Sequence, residues 1–96
     1  MATFAARRLQ AMIGNTSCIL GIELLAAAQG IEFLRPLQSS RALEQVIALL
    51  REQTPAMTQD RFLAPDIERA TALVRNGSLS RIFRTLTDLP KLWTPT

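Results

Sequence analysis

The chain has 96 residues, 48% of them hydrophobic, with 11 basic residues, 8 acidic residues and no histidine. A chain of this length forms one small domain and leaves a large share of its surface unburied. Its apolar content is therefore high for a small soluble monomer, and we expect part of the apolar surface to lie against another chain or another domain.

The net charge of +3 is scattered along the chain. The longest basic run is Arg7-Arg8, and the four phenylalanines and one tryptophan do not interleave with a basic patch. Nucleic-acid-binding surfaces combine clustered Lys and Arg with exposed aromatic rings. We therefore expect no nucleic-acid partner, and a small basic nucleic-acid or membrane-surface binder is the weakest of the hypotheses.

Cysteine content and hydropathy indicate a compartment. Cys18 is the single cysteine, so an intramolecular disulfide is impossible, which favours a reducing environment. On an apolar helix, such a cysteine is usually a small buried hydrophobe rather than a nucleophile. The apolar run 18–28 contains Glu23 and is about half as long as a membrane span, and no signal-peptide pattern is present. We expect a cytoplasmic, soluble chain without a membrane partner.

The first predicted element is a long helix over residues 2–29. Its apolar residues recur at helical spacing and form one stripe, made of Leu9, Ile13, Leu20, Leu24 and Ala27. The second half of the helix is apolar all round, so we expect other elements to surround it. Gly30 is expected to end the helix. At about 1.5 Å per residue the helix is roughly 40 Å long, which is long for so small a chain.

Shorter helices are predicted after it. An extended connector over residues 31–38 leads to a second helix over residues 41–53, which Ser39 or Ser40 can cap. A third helix begins at Pro65 and closes at Gly77. The predicted inner faces comprise Leu43, Val46, Ile47 and Leu50 in the second helix, and Ile67, Ala70 and Val74 in the third.

A fourth helical segment is predicted within residues 78–90, ended by Pro90, and the last six residues are expected to be frayed. No alternating strand pattern of useful length appears. The fold class is therefore all-α, with one long helix followed by two or three shorter helices as part of a helical bundle.

The usual catalytic residues are absent. The chain has neither histidine nor tyrosine, and it contains no Gly-rich phosphate loop and no cysteine pair at zinc spacing. Asp60-Arg61 and Asp66 with Arg69 are interpreted as solvated or paired surface charges. We assign no catalytic, cofactor-binding or metal-binding residue.

Glu23 is the one carboxylate inside the apolar run ILGIELLAAAQG. On a helical projection it lies beside the apolar stripe, and no basic residue of its own helix can pair with it. A carboxylate buried alone could act as an acid or base. We favour the alternative, an ion pair with an arginine of another helix or another subunit.

The segment MATFAARRLQAMIGNTSCILGIELLAAAQGIEF, residues 1–33, resembles a stretch of the histidine ammonia-lyase family. PLQSSRALEQVIALLRE and DRFLAPDIERATALVRNGSL are similar, in the same order, to that family's C-terminal end. The resemblance covers residues 1–79. Residues 80–96 stay an unassigned tail, with one short helix predicted from periodicity alone and disorder after it.

The resemblance implies a large helical enzyme of histidine catabolism that works as a homotetramer around long helices. Such enzymes convert L-histidine to urocanate with a methylidene-imidazolone group made from an internal Ala-Ser-Gly. This chain contains no Ala-Ser-Gly and no tyrosine, and the family's Gln-Glu-Asp-His segment would come just before the position of Met1. No catalytic residue is therefore carried over, and we expect no cofactor in this chain.

The resemblance thus indicates a C-terminal structural and assembly portion of a histidine ammonia-lyase-like protein, inactive alone and forming a homo-oligomer through its long N-terminal helix. The alternative is a stand-alone, self-associating helical interaction module that has lost the catalytic part. Related lyases and aminomutases acting on Phe or Tyr share the fold, and their substrate-selecting residues lie outside this chain.

Overall fold

The computed structural model describes residues 2–86, and within that range the chain forms helices and no strand. The four helices are α1 (Ala2–Glu32), α2 (Arg41–Gln53), α3 (Ala64–Arg75) and α4 (Ser78–Leu86). The predicted all-α fold, one long helix followed by shorter ones, is confirmed. The predicted stop at Pro90 and the tail after it lie outside the described residues.

α1 has two halves that differ in their surroundings. From Ala2 to Thr16 every residue is exposed except the half-buried Gly14. Burial begins at Ser17, whose hydroxyl donates a hydrogen bond to the Ile13 carbonyl at 2.8 Å. The second half of α1 therefore belongs to the folded body, whereas the first half projects from it.

α3 lies closely against the second half of α1 because a glycine stands at the crossing. A Cβ atom on Gly21 would lie 2.7 Å from the Thr71 Oγ1 and 2.9 Å from the Thr71 nitrogen. Any larger residue would push the two helices apart. Ala28, about two helical turns after Gly21 on the same face of α1, is also small and buried, and it allows the same close approach.

The core forms where α1, α2 and α3 meet. Its buried apolar residues are Ala28, Ile47, Leu50, Ala70 and Leu73. Half-buried leucines and isoleucine pack against this cluster: Leu24, Leu25, Ile31 and Leu49. Of the predicted inner faces, Val46, Ile47, Leu50 and Ala70 are buried, Ile67 and Val74 are half-buried, and Leu43 is exposed.

The end of α1 differs from the prediction. Gly30 does not close the helix, which continues to Glu32, and the only positive φ among the described glycines belongs to Gly77, at 83°. Two contacts explain the extension: Ile31 packs against the core, and Glu32 pairs with Arg51 of α2. The predicted extended connector is correspondingly shorter. It consists of turns after Glu32, and its Arg35-Pro36 peptide bond is cis.

The other helix ends follow local chemistry. Ser40 caps α2, its hydroxyl accepting a hydrogen bond from the Leu43 nitrogen at 3.3 Å. α2 ends at Thr54, whose nitrogen donates to the Leu50 carbonyl. Pro65 lies in the first turn of α3, as predicted. Gly77 links α3 to α4 in a left-handed conformation that other residues rarely adopt.

Candidate functional site

One face of α1 is apolar and uncovered. We call it the uncovered face, and it consists of seven exposed large side chains: Phe4, Leu9, Met12, Ile13, Ile19, Leu20 and Ile22. Their exposed fractions run from 45% at Ile22 to 70% at Phe4. Soluble monomers seldom leave so continuous an apolar surface in water, and such surfaces mark sites of association.

The first half of α1 lacks tertiary support within the described residues. An isolated helix of about 15 residues is only marginally stable in water, because propagation scarcely repays the cost of nucleation. The segment before Ser17 has this length and no buried residue. A partner that covers it would supply the missing stabilisation.

α1 also passes a membrane-span test by length and composition alone. An 18-residue window of this helix has a mean hydropathy of 1.5. Core helices of soluble proteins and signal sequences pass the same test. The second half of α1 packs on α3 through Ser17, Gly21 and Ala28, which is the behaviour of a bundle helix.

Glu23 lies on the exposed side of α1. Among residues 2–86 it forms no ion pair, and neither do Arg7 and Arg8. Of the two predicted partners of Glu23, an arginine of another helix of this chain is not found among residues 2–86; an arginine of another subunit stays a prediction. The packed face of α1 is the one carrying Ser17 and Gly21, roughly on the other side of the helix, because small residues allow the closest approach of α3.

A recess of about 260 Å³ opens between α1, α3 and the loop of residues 54–63. Its wall is mainly apolar, and polar groups of Gln29, Arg51, Arg61 and Asp66 border it. No local sequence pattern predicts this recess, since the residues around it come from three distant segments.

Arg51 fixes one end of the loop beside the recess. Its Nε lies 3.0 Å and 3.1 Å from the two carboxylate oxygens of Glu32, to which a second guanidinium nitrogen also donates. A further guanidinium nitrogen donates to the Thr54 carbonyl at 3.1 Å. The hydrogen bonds from Arg51 lower the pKa of Glu32 below its ordinary value of 4.5, against the opposing effect of burial.

Arg61 fixes the other end. Its Nε lies 2.8 Å from the Asp66 carboxylate, and its terminal nitrogens donate to the carbonyls of Pro55 at 2.6 Å and Ala56 at 3.2 Å. Asp66 is only 4% exposed and also has Arg69 at 3.6 Å. The predicted surface position of this aspartate is wrong, since it is buried in the first turn of α3, whereas its predicted pairing with Arg69 is observed.

Gln29 connects the loop to α1 directly. Its Nε2 donates to the Met57 carbonyl at 3.0 Å, and its Oε1 accepts from the Met57 nitrogen at 3.3 Å. A similar two-bond pair joins Arg35 to Glu44, at 2.6 Å and 2.8 Å, and lowers the pKa of Glu44. The Gln29 bonds hold the loop against α1, whereas the Arg35–Glu44 pair joins the turn after α1 to α2.

The polar side chains that border the recess are engaged in hydrogen bonds and ion pairs. Its polar groups pair with each other or with backbone, and within the described residues no group of three metal-binding side chains occurs. Cys18 is half-buried on α1. The chain contains no Ala-Ser-Gly from which methylidene-imidazolone could form, so its residues do not fit that group. The functional feature that stands out is the uncovered face.

Comparison with known proteins identifies the family. A sequence profile described as aromatic amino acid lyase matches residues 1–52, more than half of the chain. The chain belongs to the aromatic amino acid lyase family. No solved structure shows a significant match.

The similar curated proteins are bacterial histidine ammonia-lyases, which confirms the resemblance seen in the sequence. The chain is 54% identical over 77 residues to the histidine ammonia-lyase of Rhodospirillum rubrum, covering 80% of this chain and 15% of that protein. It is 52% identical over 82 residues to that of Desulfotalea psychrophila and 55% identical over 82 residues to that of Vibrio cholerae. Each of these matches covers 85% of this chain and 16% of the relative. The chain spans about a sixth of the length of these relatives.

Proposed function

We propose that this chain is the structural, assembly portion at the C-terminal end of a histidine ammonia-lyase-like protein. The observation that carries the proposal is the uncovered face: the first half of α1 is helical and apolar, yet no described residue covers it. The role of such a segment is to pack against other chains. On this proposal the chain forms a homo-oligomer through α1 and acts in the cytoplasm, within histidine catabolism.

The surplus apolar surface extends beyond α1. The turn after it exposes Phe33, Leu34 and Leu37, whose exposed fractions are 77%, 62% and 71%. In the relatives this chain accounts for only 15–16% of the length, so the remaining part of such a protein is available to cover surface of this kind. The small share of the relatives' length that the chain spans and its exposed apolar surface thus support the same proposal.

Alone, the chain is expected to be inactive as an ammonia-lyase. Elimination of ammonia in the family depends on a group derived from Ala-Ser-Gly, and the chain has neither this tripeptide nor a tyrosine. The recess adds no substitute, because Arg51, Arg61 and Asp66 are engaged in holding the loop. Its contribution to a lyase is therefore the assembly of subunits.

Two measurements on the purified 96-residue chain test the proposal. Sedimentation velocity over a range of concentrations should show a discrete self-associated species. Urocanate absorbance should stay at background when the chain is incubated with histidine. A strictly monomeric chain would contradict the assembly role, and histidine-dependent urocanate formation would contradict the inactivity.

A stand-alone, self-associating interaction module is the second candidate, favoured by the apolar stripe that α1 already carries. The genomic reading frame separates the two. A frame that continues upstream of Met1 and encodes Ala-Ser-Gly supports the lyase portion. A frame that starts at Met1, together with a discrete oligomer of the expressed chain, supports the module.

A further inference from the structure

We propose that α1 pairs with α1 of a second copy in antiparallel orientation, about a two-fold axis between Asn15 and Thr16, so that Arg8 of each copy meets Glu23 of the other. This inference rests on the proposed self-association and adds its orientation and register. It also gives Glu23 an ion-pair partner, which it lacks among residues 2–86.

The contact surface is a seam along the uncovered face. Residues at alternating intervals of three and four form it, which is the spacing of a coiled-coil stripe. The members of the seam are Ala5, Arg8, Met12, Asn15, Ile19, Ile22 and Ala26, and each of them is exposed. Met12 and Ile19 lie about 180° round the helix from Gly21, where α3 packs, at 3.6 residues per turn. A second copy on the seam would therefore leave the α1–α3 contact at Gly21 intact, and it would border the recess at Ile22 and Ala26, which line its wall.

The seam is self-complementary about its centre. In a two-fold antiparallel pair centred between Asn15 and Thr16, Met12 lies opposite Ile19 of the second copy. Leu9 is level with Ile22 of the second copy but lies at the flank of the seam, and both are exposed apolar side chains in the single chain. At the two ends the small residues Ala5 and Ala26 face each other, which lets the helices stay close along about 32 Å.

The charges select this arrangement over a parallel one. Arg8 and Glu23 are the charged residues on this side of α1, and neither forms an ion pair among the described residues. Antiparallel pairing brings opposite charges together twice per dimer, whereas parallel pairing in register sets Arg8 against Arg8 and Glu23 against Glu23. Asn15 adds a polar group at the centre of the seam, a position where one polar residue fixes register.

A charge swap tests the pairing in the full chain. Arg8→Glu or Glu23→Arg should each weaken self-association about tenfold or more, since either change turns two attractions into two repulsions. The double variant should recover most of the lost affinity. Arg7→Glu is the matched control, because Arg7 is equally exposed and unpaired but lies about 100° from Arg8 round the helix, off the seam. Sedimentation equilibrium gives the affinities, and circular dichroism checks that each variant keeps its helices.

Cysteine cross-linking tests the register independently, in a Cys18→Ser background. A mixture of Met12→Cys and Ile19→Cys chains should form the mixed disulfide under mild oxidation. Ile19→Cys chains alone should not cross-link, because antiparallel pairing separates the two copies of this position by about 10 Å along the axis, beyond disulfide reach.

The outcomes separate the two levels of the proposal. Recovery in the double variant together with the mixed disulfide supports the antiparallel seam. Self-association without recovery, or efficient cross-linking of Ile19→Cys with itself, overturns the seam while leaving assembly through α1 standing. A monomer that partitions into phosphatidylcholine vesicles overturns both.

Discussion

The sharpest test of the packing is the crossing of α1 and α3 at Gly21. Replacement by alanine places a Cβ atom 2.7 Å from the Thr71 Oγ1, 2.9 Å from the Thr71 nitrogen and 3.1 Å from the Thr71 Cα. A hydroxyl can rotate away, but the two backbone atoms cannot. The helices must therefore separate by several tenths of an ångström, and overpacking of this kind costs about 1–3 kcal/mol.

The higher helix propensity of alanine raises the free energy of unfolding and so opposes the packing cost of Gly21→Ala. A control must therefore separate the two effects. Glycine in a helix interior costs about 1 kcal/mol relative to alanine. Gly14 and Gly30 are also inside α1, and a Cβ atom at either meets no atom within 4 Å. Their alanine variants therefore report the propensity gain alone. The difference between Gly21→Ala and these controls isolates the packing cost.

Urea unfolding followed by circular dichroism measures that difference. Gly21→Ala should unfold with a free energy about 1–3 kcal/mol below the control variants, which corresponds to a midpoint lower by about 1 M urea. The measurement needs several protein concentrations, because self-association raises the apparent stability. A Gly21→Ala chain as stable as the Gly14→Ala and Gly30→Ala chains would refute the close crossing.

Four further predictions concern the charges, the loop and the free half of α1. Glu32 has a lowered pKa, so its pair with Arg51 stabilises the fold above pH about 4.5. This stabilisation is lost as the pH falls through the folded-state pKa. Glu32→Gln should therefore reduce the fall of the unfolding free energy at acid pH. Asp66→Asn should cost about 1–3 kcal/mol in urea unfolding, whereas Asn at the exposed Asp60 should cost almost nothing. The buried Thr54 hydroxyl has no hydrogen-bond partner in the described range. Thr54→Val should therefore raise the free energy of unfolding by about 1 kcal/mol, seen as a higher midpoint in thermal unfolding. Removing residues 2–14 should abolish self-association in sedimentation while the unfolding free energy at low concentration stays unchanged.

Elements set by neighbouring residues could be predicted from the sequence. The bounds of α2 agree with the prediction because its signals are local: a serine cap at Ser40, apolar residues at helical spacing, and a Thr54-Pro55 end. Gly77 closes α3 for a similarly local reason, its positive φ. The family resemblance likewise depended on contiguous segments.

Features set by distant residues could not be predicted. Gly30 has the pattern of a helix end, but the packing of Ile31 against the core and the pairing of Glu32 with Arg51 outweigh that local preference. The Arg61–Asp66 pair and the Gln29–Met57 bonds join residues whose proximity depends on the complete fold. Hydrophobic periodicity identified α1 as apolar, yet it did not indicate which side α3 would cover.

The choice of the side of α1 that packs on α3 has a physical cause, which also explains why Glu23 is exposed. A helix that is apolar nearly all round can pack on either side, and the choice falls to the side that permits the closest approach. Gly21 and Ala28 let α3 come within contact distance, whereas the side with Met12, Ile19 and Glu23 carries longer side chains. On our proposal, the side with the larger side chains packs against α1 of a second copy. Glu23 then favours the antiparallel orientation, because only in that orientation does it lie opposite Arg8 of the second copy.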